Sequence, residues 1–250
     1  MTAFGIRIPA GAALLVWAVM WEIAGRLGSS LVLPPLSEVL VAMVALLPSE
    51  KFAEAASITL HAFFVGMAWA IAVGVPIGVV MARSQAVGRI LGVWVNIFVS
   101  APISALVPIL MAVIGIGQST VIVTVFLFAV FIIILDTQVG VRHVSRSLEE
   151  MARSFGARSW QLYGKVLLLA ALPEILAGIR LAVIRGIKGV VIGQLLVSIL
   201  GVGELFELYS RNFLMAEFWA LVIMVFAFAF AMSEAVAWLE RRVEYYAAAR

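Results

Sequence analysis

Ser147-Leu-Glu-Glu-Met-Ala-Arg-Ser-Phe-Gly156-Ala-Arg-Ser-Trp-Gln-Leu-Tyr-Gly-Lys-Val-Leu-Leu-Leu-Ala-Ala-Leu-Pro173 is a polar stretch that fades into an apolar one. Ser147 followed three residues later by Glu150 predicts a capping box, in which each side chain accepts a hydrogen bond from a free N–H of the first turn. Gly156 supplies the left-handed residue that ends that helix. Ser159 offers a second N-cap, and the apolar run resumes at Val166 until Pro173 interrupts it. The stretch therefore reads as two short helices joined at a glycine. Taken alone, helix, glycine turn and helix would suit a DNA-binding motif. The neighbouring runs exclude it, because a soluble reader of DNA is not set between segments of membrane-spanning length.

Composition widens the same conclusion. Over 250 residues, 64% are hydrophobic and 12% charged, and the mean hydropathy is +1.15. Soluble domains carry roughly a quarter charged residues and about half apolar ones, so this is a membrane protein. Its formal charge of +3 does not imply nucleic acid, since basic residues of membrane proteins collect in cytoplasmic loops. With no cysteine there is no disulfide, thiolate nucleophile or cysteine metal site.

Taken in order, the chain predicts six spans. Arg7 precedes the apolar Ile8–Trp21, and with no clean cleavage site the run from about Ile8 to Leu27 reads as a retained first span. Glu22 and Arg26 near its outer end are four apart and offset each other. Gly28-Ser-Ser, Pro34-Pro35 and Ser37 mark a loop, and Ser37–Leu47 a short helix too brief to cross, placed at the outer interface. Span two, Ile58–Met81, is long enough; Gly66, Gly74 and Gly78 invite close packing and Pro76 a kink. His61 near its outer end reads as a satisfied interfacial histidine. From Ile90 to Gly117 the apolar run is broken by Asn96, Pro102 and Pro108, which predicts an inner half-helix followed by a proline-broken crossing. Irregular backbone at membrane depth needs protein or a water-filled cavity around it, so Asn96–Pro108 is either pathway wall or packed against a neighbouring helix. A tight turn at Gly115–Ser119 leads into span four, Thr120–Thr137, with Asp136 at its wet inner end. Span five runs from about Leu172 to Ile199. An outer loop holding Gly201, Gly203, Glu204, Glu207, Arg211, Asn212 and Glu217 leads to span six, Phe218–Leu239.

Six spans place both termini on one side. With the N-terminus inside, Arg7, Arg83, Arg89, Arg142, Arg146, Arg153, Arg158, Lys165, Arg241, Arg242 and Arg250 are cytoplasmic, against Arg26, Lys51 and Arg211 outside. That bias orients the chain and puts Gly156 in the cytoplasm.

The stretch around Gly156 resembles the cytoplasmic coupling loop of ABC importer permeases, which begins Glu-Ala-Ala, places a glycine four residues after the second alanine and ends in an Ile-x-Leu-Pro-like run. Glu150, Met151, Ala152, Gly156 and Val166–Leu169 occupy those positions, with Met151 for the first alanine and Leu169 for the proline. Leu33-Pro-Pro-Leu-Ser-Glu-Val39, Ala101-Pro-Ile-Ser-Ala-Leu-Val-Pro108, Gly115-Ile-Gly117 and Arg211-Asn-Phe213 extend the likeness to the permeases of sulfonate, taurine and nitrate importers. The resemblance implies an all-α membrane protein of six transmembrane helices with the type I importer fold, one domain over 1–250 and a coupling loop at about 142–166. It further implies two ATPase subunits, a second permease copy, an external substrate-binding protein that is periplasmic or lipid-anchored, and the bacterial inner membrane as the location. In that reading Glu150 caps and orients the coupling helix, Ala152 and Gly156 seat it closely, Met151 and Phe155 pack on the ATPase, and Ala157 follows the turn. ATP and magnesium belong to the partner, since this chain has no phosphate-binding loop or other catalytic motif. No nucleic-acid partner is implied; membrane lipid surrounds the spans. The cargo class implied is a small anion such as an alkyl sulfonate, taurine, nitrate or an aromatic acid, with thiamine-precursor pyrimidines as the alternative. A secondary transporter is the main competitor, and it would need mid-membrane carboxylates or a repeat that the sequence lacks.

Asn96, Ser100 and Ser104 on the broken segment, with Arg185, Lys188 and Gln194 on span five, are the pathway candidates. Arg180, Arg185 and Lys188 would each cost roughly 2.5–3.5 kcal/mol at the bilayer centre. Either they line a cavity that lowers the barrier for an anion, or Arg180 snorkels while the others pair with neighbouring acids. Gly178, Gly186, Gly189 and Gly193 form a smooth stripe whose close contact is either with a neighbouring helix or with a second copy.

Overall fold

The structure is a computed structural model and describes residues 2–3, 6–7, 10–28, 32–197 and 199–248. Ile8, Ser29, Ser30 and Arg250, all used in the sequence reading, lie outside the described residues. Apart from a two-residue antiparallel pairing of Thr2–Ala3 with Ile6–Arg7, every element is helical.

In hydrocarbon each backbone N–H and C=O must find its partner within the segment, which leaves these apolar runs only the helix. α1 covers Ala10–Arg26, α2 Leu36–Leu46 and α3 Glu50–Arg83. α4, Gln85–Ser100, bends through Pro102 and a 3-10 turn at Ile103–Leu106 into α5, Val107–Ile114. α6 is Gln118–His143 and α7 Arg146–Ser154. α8 (Ser159–Gln161), a π-helical turn (Leu162–Leu167) and α9 (Leu168–Ala170) lead into α10, Leu172–Val197. α11, Gly201–Arg211, and α12, Met215–Ala248, complete the chain. α3, α6 and the Met215–Arg242 part of α12 are each long and apolar enough to cross a membrane. Two bent pairs reach that measure together, Gln85–Ser100 with Ile103–Ile114 (93°) and Ser159–Ala170 with Leu172–Val197 (64°). With 17 residues, α1 stands at the lower limit for crossing.

α6 is the hub, with α3 and α10 packed along it. Glycines make this possible: a Cβ at Gly66 would lie 2.6 Å from Val125 Cβ, one at Gly74 2.9 Å from Ile133 Cγ2, and one at Gly78 2.6 Å from Thr137 Cβ. The α10 stripe is equally internal. Gly178 meets Asp136, Gly189 meets Phe128 and Gly193 meets Thr124, all on α6, while Gly186 meets Met67 of α3. Of the two readings of the stripe, the contact with neighbouring helices of the same chain is the one present.

Pro76 lies within the continuous α3. Several expectations change. The broken segment begins at Gln85 rather than Ile90, and neither arm alone is long enough to cross. The outer segment after span five is a helix, α11, because Gly201 turns the chain with φ +63° and Val202, Leu205 and Phe206 then fall on one buried face. They join Trp21, Val39, Leu46, Ala55 and Leu221 in a cluster at one end of the bundle. Glu22 pairs with Arg26 as expected (2.6 Å) and also accepts from the Ser37 backbone N–H (2.9 Å), fixing α2 on α1.

Candidate functional site

α7 ends in the way its glycine dictates. Gly156 has φ +78°; its N–H donates to the Arg153 carbonyl (2.9 Å) and the Ala157 N–H to the Ala152 carbonyl (3.1 Å). These are the two hydrogen bonds of a Schellman motif, whose usual hydrophobic contact is made by Ala157 and Ala152 over Leu162 and Leu167. A Cβ on Gly156 would meet nothing within 4 Å, so backbone conformation, not space within this chain, requires glycine there.

The start of α7 differs from the sequence reading. Its N-cap is Ser145, with no side-chain cap hydrogen bond, and the helix begins at Arg146. Ser147 therefore lies inside the helix, its hydroxyl donating to Ser145 Oγ at 3.2 Å, and the Ser147–Glu150 capping box is not formed. The helix thus starts two residues earlier, and Glu150 is exposed. The second short helix likewise begins one residue early, with Arg158 as N-cap, whose N–H donates to Gln161 Oε1 (2.9 Å).

The residue that holds α7 is Glu149, which the sequence reading passed over. It receives Arg83 Nη1 at 3.1 Å and Arg83 Nη2 at 3.0 Å from the end of α3, and Arg153 Nη2 at 2.9 Å from its own helix. Arg83 also stacks on the Tyr163 ring, 5.0 Å from its centre. These hydrogen bonds, Arg83's first, hold the Glu149 carboxyl at about 2 against an ordinary 4.5. The polar side of α7 is thus tied down, and Ala152 (7% exposed) points into the chain's own packing rather than outward. Beside the exposed polar residues Glu150, Arg153 and Ser154, α7 leaves two large apolar side chains bare, Met151 and Phe155, the latter 86% exposed, with Trp160 just beyond. Trp160 was missed as well; an indole in a polar connection was its signal.

A second polar feature follows α4. At about 100° per residue Gln85, Arg89, Asn96 and Ser100 fall within about 60° of one another, and all four are exposed. The stripe runs about 22 Å along the helix axis. Hydrocarbon cannot satisfy an amide or a guanidinium, so this face meets water or protein. Asn96 and Ser100 share it; Ser104 sits beyond the bend, half-buried in the 3-10 turn. At the Gln85 end the stripe opens into a recess of about 390 Å³ between α4 and α6, lined by Gln85, Gly88, Arg89, Gly92, Asn96, Leu135, Gln138 and Arg142.

The span-five candidates separate. Gln194 is 1% exposed, and its Oε1 accepts from Thr59 Oγ1 at 3.0 Å and the Gly203 N–H at 3.4 Å. It ties α3, α10 and α11 together inside the protein. Arg185 is half-buried and is the cation acting on Asp136. Asp136 is half-buried: it is seated against Gly178, and its Oδ2 is enclosed with no hydrogen-bond partner among the described residues. Arg180 pairs with Glu240 at 3.2 Å. Lys188 is exposed and makes no ion pair among the described residues. His61 Nδ1 lies 3.0 Å from Gln118 Nε2, the satisfied histidine expected.

Known proteins are similar to this chain in sequence and fold. The chain is 32% identical over 151 residues to the carnitine transport permease protein OpuCD of Listeria monocytogenes, covering 59% of this chain and 64% of that one. It is 30% identical to the glycine betaine/proline betaine permease protein ProW of Escherichia coli K12 (80% of this chain, 54% of that one). Against the taurine permease protein TauC of the same organism the figures are 27%, 79% and 74%. The chain thus spans between about half and two thirds of the length of the first two. A chain from inward-facing structures of the MetNI methionine ABC transporter superimposes with a TM-score of 0.66 at 23% identity, covering 78% of this chain and 99% of that one. That likeness fixes the fold as the type I ABC importer permease fold. Residues 74–245 match the binding-protein-dependent transport system inner membrane component family. A multi-pass helical membrane protein with this fold and this match over most of its length belongs to that family.

Proposed function

We propose that this chain is the permease subunit of a bacterial ABC importer, forming the translocation pathway for a small solute delivered by a binding protein. Two copies would pair, each holding one ATPase subunit, with both termini and α7 in the cytoplasm. The observation that carries the reading is α7 itself: a short helix fixed on its polar side by Arg83 and ended at Gly156, which leaves Met151 and Phe155 bare. Exposed apolar residues on a polar connection mark a protein contact. ATP-driven approach of the two ATPases draws the coupling helices together and opens the spans outward; hydrolysis reverses this. Both the ATPase and the binding protein must favour the outward state, because a ligand shifts an equilibrium only through differential affinity.

For the cargo, the α4 stripe and its recess contain arginines and amides but neither a carboxylate nor an aromatic ring, which supports an anion such as a sulfonate. Unpaired Lys188 agrees. A quaternary ammonium osmolyte is the second reading, supported by the carnitine and betaine relatives; a pyrimidine has no observation of its own. The test is ATP-dependent uptake of radiolabelled taurine in proteoliposomes holding permease, ATPase and binding protein, with glycine betaine as competitor. Competition by unlabelled taurine but not betaine is expected. Uptake of betaine alone would replace the anion reading, and uptake that persists in energised, ATP-depleted vesicles would reject the importer.

A further inference from the structure

We infer that the recess between α4 and α6, beside the end of α3, is an oxyanion-binding site. Its α4 wall carries Gln85, Arg89 and Asn96, and its α6 wall Gln138 and Arg142. Two guanidiniums and three amides thus face about 390 Å³ of space. Neither Arg89 nor Arg142 makes an ion pair among the described residues; the nearby acid Glu149 is already engaged by Arg83 and Arg153. Arg142 Nη2 and Gln138 Nε2 each donate to the Met81 carbonyl at 3.3 Å. Those bonds fix both side chains and leave them further donors.

The backbone is shaped to leave the space. At Gly88 a Cβ would come within 2.7 Å of the Met81 carbonyl and 3.0 Å of Arg142 Nη2, so glycine lets both lie against α4. One turn on, a Cβ at Gly92 would meet nothing within 4 Å. A half-enclosed pocket with two cationic forks and no negative group attracts an anion, and the planar fork matches a carboxylate, sulfonate or phosphate in a two-pronged manner. It offers a trimethylammonium group neither a ring face nor a carboxylate.

The occupant is an oxyanion group from one of two sources: the phosphate of an anionic lipid at the interface, or the acidic head of a solute on its way through. The site stands on its own geometry, while its assignment to cargo rests on the anionic reading above. The experiment uses the full chain in phosphatidylcholine nanodiscs, titrated calorimetrically with methanesulfonate. In parallel, native mass spectrometry follows phosphatidylglycerol retained by detergent-solubilised protein.

Methanesulfonate binding identifies a soluble anion, and retained phosphatidylglycerol without it identifies lipid; either supports the site. In each case R89Q/R142Q should weaken the interaction by at least about tenfold, R89K/R142K should recover part of it, and choline should not bind. Gly92→Leu, which fills open space on an intact helix, should block binding with both arginines present. No binding of either probe to the wild type, or equal binding by R89Q/R142Q and Gly92→Leu, overturns the inference. The measurement needs no ATPase, so its failure is distinct from failure of the importer reading.

Discussion

Arg83, the last residue of α3, and Glu149, in the first turn of α7, form a two-pronged ion pair across 66 residues of sequence, with N–O distances of 3.0 and 3.1 Å. Through it the connection that carries Met151 and Phe155 is joined to a helix that packs along α6. The pair is a direct link between α7 and α3. Both side chains are partly exposed, so solvent screening limits the pair to about 1 kcal/mol even with its favourable geometry. Its importance lies in position, not in overall stability.

Arg83→Gln should therefore leave the protein folded and its ATPase attached, while solute moved per ATP hydrolysed falls several-fold. Arg83→Lys should recover only part, because an ammonium cannot reproduce the two-pronged fork. Paired measurements of ATP hydrolysis and uptake in proteoliposomes check this; an unchanged ratio in Arg83→Gln would remove the link from the account.

Acid should loosen the same tie in a defined window. A carboxyl depressed in the folded state contributes stability that is complete above its ordinary pKa and is lost as pH falls through the folded value. For Glu149 these values are 4.5 and about 2. A spin label at Ser154 should keep constant mobility from about pH 7 down to 4.5 and gain it below. With Glu149→Gln the label should be mobile throughout, and a wild-type transition near neutrality would contradict the assignment.

Packing along α6 gives a third prediction. Gly178→Ala drives a methyl into Asp136, and overpacking of this kind costs typically about 1–3 kcal/mol. Gly164→Ala, where nothing lies within 4 Å, should be neutral or slightly stabilising. Thermal unfolding in detergent should separate the two variants by several degrees; equal midpoints would mean that α10 does not pack as described.

Gln194→Ala should lower thermal stability, by about 1–3 kcal/mol for the buried partners it orphans, and leave the KM for uptake unchanged. An altered KM with normal stability would place Gln194 in the pathway.

Much of this was legible in the sequence, and its limits have physical causes. Spans, the glycine that ends α7, the Glu22–Arg26 pair and the break at Pro102 are local, so spacing and composition report them. Glu149 was passed over because the partner that distinguishes it from Glu150 lies in another helix. The start of α7 was read at Ser147 because only that serine has a glutamate three residues on, whereas the helix begins after Ser145, where no side-chain cap is made. α11 read as a loop because its charges are spread along one face of a helix whose other face packs on distant residues. Gln194, which is buried, and Asp136, of which only Oδ2 is, sit against glycines on other segments that spacing does not pair with them. The α4 stripe, by contrast, was fully present in the spacing of Gln85, Arg89, Asn96 and Ser100, of which only the deeper members had been singled out.

The central claim is that the α7 surface seats an ATPase. The most direct measurement is affinity purification of this chain co-expressed with its neighbouring genes, reading co-purified ATPase and its ATP hydrolysis. Wild type is compared with Gly156→Asp and with Met151→Asp/Phe155→Asp. The bare residues touch little of their own chain, and aspartate tolerates the left-handed backbone at 156 better than most residues, so all variants should remain folded by gel filtration. The account predicts an ATPase retained with the wild type and lost from both variants. An ATPase that stays with Met151→Asp/Phe155→Asp, or none with well-folded wild-type protein, would contradict it.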